Sequence, residues 1–126
     1  MADRSRALAA HRGIQSLAMA LIAAQFFLAG AGAFGATSFE AHKTVGSALV
    51  VVALLGLIAA ALARRLVGHA ALFLAVTALQ LVLGTLGADE PWVGALHGLN
   101  AAVVMGVGGS LANRAWARPQ QAAAPA

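Results

Sequence analysis

The 126-residue sequence contains no cysteine, and this excludes disulfides, thiolate metal sites and the thioether attachment of a c-type haem. Charge is nearly as scarce. Only 10% of the residues are charged and four are acidic, Asp3, Glu40, Asp89 and Glu90, none of them in the middle of an apolar stretch. A carboxylate proton relay across a membrane therefore has no residues to use. No Ser/His/Asp arrangement and no glycine-rich phosphate loop occurs, so hydrolase and kinase chemistry also lack their parts.

What is present is apolar bulk. Hydrophobic residues make up 61% of the chain, too many for its polar surface to cover in water. Four stretches, Gly13 to Phe34, His42 to Ala63, Gly68 to Gly87 and Pro91 to Ala112, each have about the 20 residues that a bilayer crossing needs. Uninterrupted runs of this length satisfy their backbone in lipid only as helices. The sequence predicts an all-α integral membrane protein, an up-down-up-down four-helix bundle forming one domain over residues 1–126 with the lipid bilayer as its surroundings. The first span has an apolar core longer than a secretory signal's, and is expected to be a retained helix. The tail from Pro119 to Ala126 is expected to be disordered.

Cations set the orientation. Arg4, Arg6, Arg12, Arg64, Arg65, Arg114 and Arg118 fall on one side of such a bundle and Lys43 alone on the other, which predicts a multi-pass protein of the cell membrane with both termini cytoplasmic. Trp92 and Trp116 stand where interfacial anchors belong. The net charge of +4 follows from this arrangement, and no nucleic-acid partner is needed to explain it.

A pattern then repeats at an offset of 55 residues. Gln25, Leu28, Gly32 and His42 recur as Gln80, Leu83, Gly87 and His97. A duplicated hairpin makes a bundle of two pseudo-twofold-related halves, and the axis brings the two equivalent histidines face to face. Thr37 and Glu40 have capping-box spacing, so the second helix is expected to start with Thr37 as its cap and to carry His42 roughly 7 to 8 Å along. Asp89, Glu90 and Pro91 start the fourth helix, with His97 about 9 Å beyond Pro91. Both imidazoles then lie at similar depth near the outer face, where they can ligate one metal.

Zinc wants three or four protein ligands, and no Cys, Asp or Glu is available at that depth. A porphyrin between two axial histidines, His42 and His97, fits better, with Gly46, Gly94 and Ala101 as small neighbours that leave room for a flat ligand. Gln25 and Gln80, each 17 residues before its histidine, either accept the free imidazole N–H or simply hydrogen-bond between helices. Asn100 offers the same on one side only. Lys43, beside His42, can pair with a carboxylate of the ligand. His11 and His69 form a second conceivable pair, and both are read as interfacial. The remaining glycines read first as close-packing positions, and Phe26, Phe27, Phe34 and Phe73 as lipid-facing or packing residues.

With Glu40, His42 and Lys43, with Gln80, Leu83 and Gly84, and with the Ala95, Leu96, His97 stretch, residues 12–112 resemble one four-helix half of haem A synthase. They are also similar to small four-span membrane proteins of actinobacteria. The first resemblance implies haem held between histidines of the second and fourth helices. Glu40 stands two residues before its histidine rather than the family's three, and the loops are shorter, so ligation rather than oxygenase chemistry is what the resemblance implies. The expectation is a b-type haem (haem b) near the outer leaflet, serving electron transfer or haem handling with a membrane redox partner or a larger complex. Two alternatives stand beside it: a non-catalytic accessory subunit of a membrane complex, and a small transporter.

Overall fold

The computed structural model describes residues 2–117, so Arg118 and the tail lie outside the described residues. Four helices follow one another: α1 (Ala2–Ala33), α2 (Glu40–Ala63), α3 (Val67–Leu86) and α4 (Pro91–Trp116). All four are long and apolar enough to cross a membrane, and no strand occurs among the described residues. Consecutive helices pack as neighbours and α4 closes onto α1, while the diagonals α1/α3 and α2/α4 make no backbone approach. This is the up-down-up-down ring. Short connections leave no other order, since residues 64–66 and 87–90 can only fold a helix back beside its predecessor.

Helices overrun the apolar stretches at one end of the bundle. α1 begins at Ala2 and has 32 residues, about 48 Å at 1.5 Å per residue, against a hydrocarbon layer of about 30 Å. Its first turns, rich in alanine and arginine, are good helix formers and continue past the apolar run. At the same end Arg12 donates from Nε to the Ala115 carbonyl at 2.8 Å and lies 5.5 Å over the Trp116 ring. Arg65 donates to the carbonyls of Arg114 and Ala117 at 3.3 and 3.4 Å. These contacts tie α1, the end of α4 and the α2–α3 connection into one arginine-rich end.

The start of α2 differs from the capping-box expectation. Gly35, at φ +74°, closes α1 in the left-handed conformation, and the amides of Ala36 and Thr37 bond back to the Ala31 carbonyl at 2.8 and 3.4 Å. Thr37 is thereby spent on the end of α1. Phe39 takes the N-cap position of α2 without a side-chain hydrogen bond, and the Ser38 hydroxyl accepts weakly from the Glu40 amide at 3.5 Å. His42 accordingly stands in the first turn of α2, about 3 Å along it. At the arginine end the α2–α3 connection uses two non-glycine residues in the left-handed region, Arg64 at φ 53° and Leu66 at φ 61°.

The core is built from small residues that receive large ones. Phe73 on α3 is fully buried, and a Cβ on Gly108 of α4 would stand 2.9 Å from its ring and 3.1 Å from Ile22 on α1. Ala18, Leu49, Ala53, Ala60, Ala70, Val104 and Leu111 complete this core. Without a hydrophobic drive between helices in lipid, close approach of this kind supplies the packing energy. At the other end the hairpins meet at equivalent points. Gly32 faces the Phe39 ring, whereas Gly87 lies directly on the backbone of Gly94.

Candidate functional site: a histidine pair at the loop end of the bundle

The end opposite the arginines carries His42 and His97. Their ring centres are 6.1 Å apart across the α2/α4 diagonal, with the planes at 73°. Both side chains are half-buried. Each is held by the preceding helix through one repeated clasp. His42 Nδ1 lies 3.2 Å from the Gln25 carbonyl while the Gln25 amide nitrogen donates to the His42 carbonyl at 2.8 Å. His97 Nδ1 lies 3.0 Å from the Gln80 carbonyl while the Gln80 amide nitrogen donates to the His97 carbonyl at 3.0 Å. A main-chain carbonyl can only accept, so Nδ1 carries the proton in both rings and each Nε2 keeps its lone pair. The acceptor is thus the backbone of the glutamine, and its side chain serves the histidine's backbone instead.

The clasps are not identical. Gln80 Oε1 accepts from Asn100 Nδ2 at 2.8 Å, and Asn100 donates also to the Val76 carbonyl at 3.0 Å. That turns the Gln80 amide nitrogen toward His97, where it also approaches Nε2 at 3.3 Å. Val45 occupies the position equivalent to Asn100 in the first half. Gly84 forms a flat cradle for His97, since a Cβ there would stand 2.9 Å from ring atoms Cε1 and Nδ1. Its counterpart is Ala29. Phe39 stands edge-on to His42 with centres 6.1 Å apart, at the position Gly94 holds in the second half.

Gly46 gives its space to the Gln25 amide, 3.4 Å from where its Cβ would be, and Gly94 gives its space to Gly87. Ala101 is half-buried on the inner side of α4. Lys43 is exposed and paired with Glu40 at 2.9 Å, one turn away on the same helix.

A scan against protein-family models matches residues 25–87 to the Family of unknown function (DUF6220). The chain belongs to that family. The DUF6220 match runs from Gln25 to Gly87, half of the chain, and includes the first clasp with Gln80 from the second, ending before His97. No curated protein and no solved structure matches the chain.

The donor set limits what this DUF6220 chain can hold at the pair. Among the described residues no group of three His, Cys, Asp or Glu side chains comes together. An ion that requires four protein donors is not served by two imidazoles. What the pair does offer is two imidazoles, each with Nδ1 on a main-chain carbonyl, the arrangement that fixes a ring's tautomer and orientation.

Sequence reasoning took His11 for an interfacial residue, and the structure corrects this. His11 is fully buried, with Nδ1 3.0 Å from the Gly56 carbonyl, and Gln15 one turn on is 1% exposed. His69 is exposed on α3, whose backbone does not approach that of α1. The flanking arginines suggested a solvated position, but His11, Gln15, Ala18 and Ile22 are spaced 4, 3 and 4 apart and form the inward stripe of α1. That spacing was the signal available in the sequence.

Proposed function

We propose that this protein is a four-span haem-binding membrane protein in which His42 and His97 ligate a single b-type haem through Nε2, for electron transfer or haem handling. The observation that carries the reading is the 6.1 Å between ring centres. Two imidazoles on one ion, each with a nitrogen at about 2 Å from it and a ring centre roughly 1 Å further, have centres about 6 Å apart. Support comes also from the unprotonated Nε2 of each ring, which on His97 exchanges the Gln80 amide contact at 3.3 Å for the ligand, and from the resemblance to a haem A synthase half. A bound haem supplies a one-electron couple. The chain's own part is to fix both tautomers through the Gln25 and Gln80 carbonyls, to stiffen His97 through Gln80 and Asn100, and to present Lys43 beside His42 toward a propionate. The arginine-rich end is the cytoplasmic one by the excess of cations there, so the haem lies near the outer face of the cell membrane and exchanges electrons with a partner in the same membrane.

The test is spectroscopic. Full-length protein purified in detergent is titrated with haem b and its absorption recorded. The reading requires a Soret band that saturates at one haem per chain with low-spin features, and their loss in His42→Ala and in His97→Ala. A protein that gains no Soret band, or both variants retaining the wild-type low-spin spectrum, rejects it.

A further inference from the structure

The arginine end contains a polar cluster that the histidine pair does not use. His11 Nε2, Gln15 Nε2 and Gln15 Oε1 are buried without a hydrogen-bond partner in the protein. His11 Nδ1 faces the Gly56 carbonyl, which can only accept, so Nε2 is an unprotonated acceptor. Gln15 lies over Gly56, whose missing Cβ would stand 2.7 Å from its amide nitrogen. One donor group and two acceptors therefore lie buried one turn apart on α1, against Gly56 of α2.

The repeat provides an internal control. At the same 55-residue offset His11, Gln15 and Gly56 correspond to Leu66, Ala70 and Leu111. Ala70 and Leu111 are buried in the core and Leu66 packs against it, so this position in the bundle is filled by apolar side chains in the second half. The fold does not need polar groups here. Left unsatisfied in a membrane interior, they would cost stability at every atom.

We propose that His11 and Gln15 form a buried binding site for a water molecule, which donates to His11 Nε2 and Gln15 Oε1 and accepts from Gln15 Nε2. Three hydrogen bonds are the usual complement of an internal water. Two polar groups on one helix face that do not reach each other are the usual setting for a bridging one. The site belongs to the first half alone and stands independently of the histidine pair at the other end.

Two measurements on the full chain in lipid bilayers decide it. In water-edited solid-state NMR of labelled protein, polarisation passes from water to the His11 ring and the Gln15 amide, although neither is exposed, and reaches Ala70 and Leu111 far more slowly. Equal, slow transfer to all four overturns the proposal. The second is the near-isosteric Gln15→Met. In a hydrated site it removes two partners of the water and lowers the folding equilibrium constant several-fold. In a dry site it relieves two unsatisfied atoms and raises that constant by roughly fivefold or more, a result that also overturns the proposal.

Discussion

Replacing Gln80 by leucine removes, in one step, the donor to the His97 carbonyl at 3.0 Å, the contact with His97 Nε2 at 3.3 Å and the acceptor of Asn100 at 2.8 Å. Asn100 keeps its bond to the Val76 carbonyl. Replacing Gln25 by leucine removes the donor to the His42 carbonyl at 2.8 Å. Interhelical hydrogen bonds in membranes contribute about 0.6 kcal/mol on average and about 1.7 at most. Three interactions, one of them long, then predict a loss of about 1.5 to 3 kcal/mol for Gln80→Leu and of about 1 kcal/mol or less for Gln25→Leu. The assay is reversible unfolding in mixed micelles with increasing sodium dodecyl sulfate, followed by far-ultraviolet circular dichroism. The stated order matters more than either value, because the two sites share one position in the repeat. Equal losses, or a larger one at Gln25, would show that the Asn100 network contributes nothing and that the two clasps are equivalent.

The same geometry fixes other outcomes. Gly84→Ala places a methyl 2.9 Å from two His97 ring atoms and forces the ring off the Gln80 carbonyl, while Gly98→Ala, with nothing within 4 Å, leaves it in place; the His97 ring nitrogen shifts in NMR distinguish the two. Gly108→Ala pushes a methyl into Phe73 and Ile22 and should cost about 1 to 3 kcal/mol in the unfolding assay. Arg64→Gly keeps the left-handed backbone at φ 53° but removes the Cβ that strains it, and should stabilise by about 1 kcal/mol, read in the same way.

Much of the architecture was legible because membrane helices announce themselves by length. The runs after Gly13, His42, Gly68 and Pro91 are too long and too apolar for anything else, and three short connections leave only a ring of antiparallel neighbours. The repeat brought Gln25, His42, Gln80 and His97 into consideration because polar residues at matched offsets are rare in so apolar a chain. Other features were hidden for physical reasons. Thr37 looks like a cap, but Gly35 closes α1 so tightly that the Thr37 amide bonds backward and the cap position falls to Phe39. Which carbonyl of a glutamine accepts the imidazole proton depends on how closely two helices approach, and that approach is set by glycines such as Gly87 and Gly94. His11 was misjudged because Arg4 and Arg6 before it are exposed and Arg12 beside it turns to the end of α4, while His11 itself points inward.

The central claim is a haem iron shared by His42 and His97. Low-temperature electron paramagnetic resonance of the ferric, haem-loaded protein tests it most directly. The account predicts a low-spin bis-imidazole signal in the wild type and in His69→Ala, converted to high spin in both His42→Ala and His97→Ala. A low-spin signal that survives in both of these variants, or that disappears in His69→Ala, contradicts it.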